Sequence, residues 1–297
     1  MHANPRAKIN LTLSVAPRGA DGYHQLESVM LRVGLADELV VAFAETGADT
    51  LTVTGLPGCP VDGNLVLRAL ALVRQRLGHE LPPLVAHLDK RIPMAAGLGG
   101  GSSDGAAGIE AAEVMWGVGL SPQVRAQIAL ELGSDVPFFA QGGAAALVTG
   151  RGEQVERLPP PSGELGVLLV TPPLQLSTAQ VFARFDELGP PSSQRVSPRS
   201  VDELLADPAS LRDANDLWPA AASLAPGLAA LRDYLEAEVG RPWLLSGSGS
   251  TLFGLYPSVA EATADGRLIV SAESALLEGA IINAVDLIGP EPNWRYP

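Results

Sequence analysis

The stretch Pro93-Met94-Ala95-Ala96-Gly97-Leu98-Gly99-Gly100-Gly101-Ser102-Ser103-Asp104 constrains the fold more than any other part of the chain. Four glycines between positions 97 and 101 let successive backbone amides turn toward one point. A strand pattern over Val85–Leu88 leads toward it, and helical spacing from about Ser103 to Trp116 follows it. The free N–H groups and positive dipole end of that helix add to the amides of the loop, so strand, loop and helix together predict an anion cradle.

Known phosphate motifs narrow its use. No Gly-Lys-Ser/Thr triplet follows, which sets aside a Walker A loop, and Ser102 stands where a dinucleotide fingerprint has its third glycine. Gly101-Ser102-Ser103-Asp104-Gly105 does match the nucleophile elbow of serine hydrolases. In that fold the histidine follows the serine, whereas His2, His24, His79 and His87 all precede Ser103, and no strong apolar strand enters the elbow.

The rest of the composition limits partners and setting. A formal charge of −13 argues against nucleic acid and anionic membrane as partners, because both need an extended basic face. Any phosphate site must therefore be built locally. Only two of the 20 basic residues are lysines, Lys8 and Lys90, and a compact ammonium in an arginine-rich chain points to a narrow site. The most apolar run, Leu268–Gly289, carries Glu273, Glu278 and Asp286 and reads as soluble structure. Arg6, Lys8 and Asn10 occupy the place of a signal's apolar stretch, and the lone Cys59 suits a reducing compartment, so a cytoplasmic location is expected.

Alternation of Ala7, Ile9, Leu11, Leu13 and Val15 predicts one strand with Lys8 and Asn10 on its other face, closed by a turn over Pro17–Gly22. Further strands are predicted at Leu39–Phe43, Leu51–Val53 and Ala144–Val148. Helices are predicted over Asn64–Leu77, with Asn64 as N-cap, and from Ser121-Pro122 to Gly133. The run Pro159-Pro160-Pro161-Ser162-Gly163 marks a boundary between domains 1–158 and 159–297, and the Pro/Ser-rich 189–199 segment predicts a loop. Asp135, in Gly133-Ser134-Asp135-Val136-Pro137-Phe138-Phe139, is an acid among apolar residues. Burial would raise its pKa unless a cation such as Lys8 offset it. It reads either as a cap for the turn that follows or, beside a phosphate cradle, as the group that receives a hydroxyl proton. Paired-cysteine and His-rich metal motifs are absent from the sequence.

Ala7-Lys8-Ile9-Asn10-Leu11, Asp21-Gly22-Tyr23-His24, the glycine loop, the Gly133–Phe139 run, Gly150-Arg151-Gly152-Glu153 and Ser246-Gly247-Ser248-Gly249-Ser250 together resemble the GHMP kinase superfamily. Within it they are most similar to the branch that phosphorylates 4-diphosphocytidyl-2-C-methyl-D-erythritol. The resemblance implies an α/β (α+β) fold of two domains with the active site in the cleft between them. It also implies ATP with Mg²⁺ whose ligands it does not specify, this one small-molecule substrate, and a monomer or homodimer. By motif, Lys8 and Asp135 would be the catalytic pair. Asn10, Tyr23, His24, Thr178 and Phe182 would contact substrate, with His24 reading the cytosine edge and Tyr23 and Phe182 enclosing its ring. Asn64, Leu65, Lys90 and Met94 would lie near adenine and ribose. Gly97, Leu98, Gly99, Gly100, Gly101, Ser102 and Ser103 would hold phosphates, with Pro93, Ala95, Ala96 and Asp104 completing the ATP-binding segment. Ala95-Ala96 departs from the more glycine-like residues expected there.

Overall fold

Three sheets and the helices that cover them place the glycine loop at the meeting point of the two halves of the chain. The computed structural model describes residues 1–45, 47–78, 80–141, 143–190, 200–287 and the strand Trp294–Arg295. The loop expected at 189–199 lies, beyond its first two residues, outside them.

The first sheet runs Trp294–Arg295, His2–Ala3, Glu38–Phe43, Leu84–Lys90, Thr50–Gly55. Its one parallel pair, Thr50–Gly55 beside Leu84–Lys90, is joined by the helix Leu65–Leu77, the crossover that parallel pairing requires. Asn64 caps this helix as expected, accepting from the Val66 N–H at 2.9 Å. The second sheet orders Arg6–Asn10, His24–Ala36, Ala145–Gly150 and Gln154–Leu158, with Ser14–Arg18 also paired to the long second strand. The third, wholly antiparallel, runs Leu244–Leu245, Leu252–Tyr256, Gly166–Thr171, Ile281–Asp286.

The single strand predicted over 7–15 is two. Pairing with His24–Ala36 runs to the Leu11 N–H, which donates to the Val29 carbonyl, and is then interrupted, because the Leu13 N–H donates to the Ala214 carbonyl and the Leu13 carbonyl accepts from the Asp216 N–H. Leu13 and Val15 accordingly pack in the core of the second half. The turn also starts later than expected: strand continues through Arg18, and Gly19–Gly22 closes on Tyr23. The loop helix begins at Gly100, three residues earlier than predicted. Its glycines are structural there, since a Cβ at Gly105 or Gly108 would press on Leu65 or Ala69 of the neighbouring helix.

Each half has an apolar core, and a third core joins them: Ala7, Ile9 and Leu31 of the second sheet pack with Val167, Leu169 and Phe253 of the third. The chain crosses between halves between Leu158 and Gly166. We propose 1–158 and 159–297 as its two domains, with Trp294–Arg295 returning to the first sheet. No helix among the described residues is long and apolar enough to cross a membrane.

Candidate active site

A cleft of about 650 Å³ is lined by every residue expected from the sequence to bind or react, except Leu98 and Ser103. Those two belong to the loop but face inward. Leu98 is buried in the shared core, where its carbonyl accepts from the Lys8 N–H at 2.9 Å, and Ser103 is buried within the first turn of its helix. They shape the phosphate loop without facing it.

The loop owes its course to left-handed backbone at Ala95 (φ 51°), Gly97 (φ 77°) and Gly99 (φ 68°). Ala95 thus holds a conformation usually reserved for glycine. At Gly97 a side chain would overlap the Ser246 carbonyl oxygen, and the Ser246 hydroxyl donates to the Gly97 carbonyl at 2.9 Å. The Ser246–Ser250 turn of the second half is therefore pressed directly onto the loop. At Gly99 a Cβ would meet the Lys8 side chain at 3.0 Å and the Phe139 ring at 3.1 Å. The Gly100–Trp116 helix starts at this point with no side-chain N-cap, leaving its first amides for an anion.

Lys90 reaches the cleft with its charge already compensated. Its ammonium lines the cleft but is paired with Asp37 and, at 2.7 Å, with Asp104, and all three side chains are almost fully buried. Asp37 also accepts from the Arg91 and Ile92 N–H groups. The charge that the sequence offered to a nucleotide instead ties the end of one strand to the loop helix. Burial alone would push the Lys90 ammonium down, but Asp104 and Asp37 hold it above the ordinary lysine range. Two carboxylates share one cation, so burial, helped by Asp37 and opposed by Lys90, raises Asp104 to about 7. The folded chain then keeps a proton on Asp104 at pH values where the unfolded chain, with a pKa of roughly 3.9, has lost it. This term in stability falls as pH rises from about 4 to about 7 and is level above. Asp104→Asn is expected to lose less stability than the parent between pH 5 and pH 7.5 in urea unfolding; equal losses in the two proteins would contradict the pairing.

Lys8 and Asn10 leave the same face of the strand Arg6–Asn10. The Lys8 ammonium donates to Asn10 Oδ1 at 2.6 Å, and Asn10 Nδ2 donates to the Ser28 hydroxyl at 2.7 Å. Asn10 thus holds Lys8 and keeps one amide N–H for a substrate. Lys8 lies 3.7 Å from Asp135 Oδ2, the two side chains being 4% and 35% exposed. Asp135 is therefore not buried as its apolar neighbours suggested: it opens into the cleft. It stands at the N-cap of the short helix Val136–Ala140 but makes no side-chain cap bond, so its carboxylate is free for chemistry.

At the other end stand Tyr23, His24, Thr178 and Phe182. Tyr23 is half exposed, with the Arg151 guanidinium 3.4 Å from its ring centroid. Thr178 shares a 2.9 Å hydrogen bond with Ser248. The His24 ring packs 5.1 Å from the Phe182 ring, its Nδ1 lies 2.8 Å from the Ala16 carbonyl, and its Nε2 lies 3.3 Å from Asp186. Nδ1 is thus engaged by backbone, whereas Nε2 approaches Asp186 without making a hydrogen bond.

Comparison with known proteins is consistent with this geometry. Residues 64–143 match the model of the GHMP kinases N terminal domain. A 4-diphosphocytidyl-2-C-methyl-D-erythritol kinase of Pelotomaculum thermopropionicum is 41% identical over 84% of this chain and 87% of that protein. The namesake enzyme of Corynebacterium efficiens is 42% identical over 82% of this chain and 81% of its own. The chain belongs to the 4-diphosphocytidyl-2-C-methyl-D-erythritol kinase family. A crystal structure of 4-(cytidine 5'-diphospho)-2C-methyl-D-erythritol kinase superposes with a TM-score of 0.77 at 31% identity, covering 97% of this chain and all of that one. A mevalonate kinase from L. major, at 13% identity and a TM-score of 0.66, shares the fold alone.

This kinase is thus an ATP-dependent phosphotransferase of the GHMP type. Its cleft also recruits residues that the sequence did not assign to it. Cys59, Pro60 and Gly63 precede the Asn64 cap, Ser134 precedes Asp135, Arg151 follows the strand Ala145–Gly150, and Gly247–Gly249 and Leu217 come from the second half. Signals existed for two of them: Cys59 is the lone cysteine, and Arg151 sits between two glycines in a turn whose Gly152 has no room for a side chain beside the Ser134 carbonyl.

Proposed function

We propose that this kinase transfers the γ-phosphoryl group of ATP to the 2-hydroxyl of 4-diphosphocytidyl-2-C-methyl-D-erythritol, giving the 2-phosphate of the non-mevalonate isoprenoid route. The observation that carries this reading is the Lys8–Asp135 pair opening beside the glycine loop. Asp135 receives the hydroxyl proton as the hydroxyl oxygen bonds to the γ-phosphorus. The bond from that phosphorus to the bridging oxygen breaks, and ADP departs with the electron pair. Lys8, fixed by Asn10, holds the carboxylate in place and offsets charge on the transferring group. Backbone amides of Gly99 to Ser102 hold the phosphates.

Among the described residues no three His, Cys, Asp or Glu side chains gather as a metal centre. The donor set nonetheless suits a Mg²⁺ carried in on ATP, since Asp135 and Ser102 are among the hard oxygen donors lining the cleft and such an ion keeps phosphate and water ligands. Its chemistry would be to neutralise phosphate charge.

Tyr23 and Phe182 would stack on the cytosine, which is indifferent to the identity of the base. With His24 Nδ1 held by the Ala16 carbonyl, discrimination falls to Nε2 and to backbone groups beside the ring. Phe182→Ala is expected to raise the KM for the cytidyl substrate by roughly tenfold or more, in line with stacking worth about 1 to 3 kcal/mol per base, while the KM for ATP stays within about twofold. Equal rises in both constants would remove Phe182 from the base site. A single assay of ATP consumption with the cytidyl substrate, mevalonate and homoserine tests the whole reading. Turnover confined to the first is expected, and preference for either of the others would move the chain to a different GHMP reaction. A cytoplasmic site of action completes the proposal, supported by the single cysteine.

A further inference from the structure

The strand register that sets Lys8 opposite Arg32 brings a second cation to the helix carrying Asp135. Directly opposed residues of an antiparallel pair project from the same face of the sheet. Lys8 meets the N-terminal end of the short helix Val136–Ala140, through Asp135. Arg32 meets the C-terminal end. Its Nη2 donates to the Phe139 carbonyl at 2.6 Å and lies 3.5 Å from the Phe138 carbonyl, and its guanidinium carbon sits 5.6 Å from both phenyl centroids.

The residue is only 5% exposed, a costly place for a charge. Burial lowers its pKa to about 10, Glu110 of the loop helix pulls it back, and Arg6 and Arg157 press it further down. It therefore stays charged at neutral pH. Among the described residues its Nε finds no acceptor, so its hydrogen bonds go to the carbonyls that end this helix, while Glu110 and the two phenyl faces offset part of the burial. A helix of five residues has too few internal bonds to hold its own direction. The same helix touches the phosphate loop, because the Phe139 ring fills the space in front of Gly99.

We propose that Arg32 is a positioning residue for phosphoryl transfer: by gripping the last carbonyls of Val136–Ala140 it fixes the direction of that helix, and so the place of Asp135 relative to Lys8. The role rests on the reading of Asp135 as proton acceptor. Displacement of a reacting group by about 1 Å can cost on the order of 10²-fold in rate.

The test compares Arg32→Met and Arg32→Lys in the full chain, each alone and combined with Asp135→Asn, by steady-state kinetics with ATP and the cytidyl substrate. Arg32→Met is expected to lower kcat by about tenfold while both KM values stay within about twofold. Added to Asp135→Asn it changes kcat by less than about twofold, because the group it positions has already lost its function. Arg32→Lys recovers part of the loss, since an ammonium can donate to the same carbonyls. If Arg32→Met does not fold, Arg32→Lys alone and in the double variant supplies the same comparison. Equal losses in the two backgrounds would reduce Arg32 to a general packing role and overturn the proposal, as would unchanged kcat in the parent background. Undiminished turnover in Asp135→Asn alone would remove the acceptor itself and, with it, the role of Arg32.

Discussion

Asp135→Asn is expected to lower turnover by on the order of 10²-fold or more, the scale of a positioned proton acceptor, with ATP binding and folding nearly unchanged. The basis is local. The Asp135 carboxylate opens into the cleft 3.7 Å from the Lys8 ammonium and caps no helix amide. An amide of the same shape keeps the packing and loses the basicity. Because the side chain makes no cap bond, the substitution should leave thermal stability close to that of the parent, which separates a chemical loss from a structural one. Turnover within a few-fold of the parent would take Asp135 out of the mechanism.

The second large effect is expected at Gly97. Its φ of 77° already disfavours any side chain, and a Cβ would overlap the Ser246 carbonyl oxygen across the junction of the two halves. Backbone meets backbone there, so neither partner can swing aside. Gly97→Ala should lower Tm by about 5 °C or more and weaken ATP binding strongly, since the loop and the Ser246–Ser250 turn must separate. Gly101 is the internal comparison. It is the second residue of the helix that follows the loop, without positive φ and with nothing within 4 Å of an added Cβ, so Gly101→Ala should keep the parent's Tm. Similar melting temperatures for the two variants would show that the loop is not held by this junction.

Local signals in the sequence carried well where structure is local. The Asn64 cap, the Ser121-Pro122 start and the Gly133 stop are set by residues within a few positions and stand where expected, and the glycine loop does too, save that its helix begins three residues early. Three features depended on distant partners and were not legible. The alternation of Leu11 and Leu13 continues a strand pattern, yet the Leu13 backbone leaves its neighbour to pair with Ala214 and Asp216, some 200 residues away. Lys90 presents itself in sequence as a free cation because Asp37 is 53 positions from it. His24 likewise looks available until Asp186, on the helix Thr178–Leu188 that also carries Phe182, is brought against it. Motif resemblance located the residues of the cleft; it did not reveal which of their polar atoms were already engaged. The long strand His24–Ala36, and Arg32 within it, carried no signal strong enough to be singled out.

The central claim is that this cleft moves a phosphoryl group from ATP to one particular hydroxyl. ³¹P NMR of a reaction containing ATP, Mg²⁺, 4-diphosphocytidyl-2-C-methyl-D-erythritol and the enzyme observes that transfer directly. The expected spectrum gains one phosphomonoester signal, on the tertiary 2-oxygen, in step with the appearance of ADP and with the substrate's diphosphate intact. Release of inorganic phosphate in place of a monoester, or a monoester on any other hydroxyl, would contradict the account.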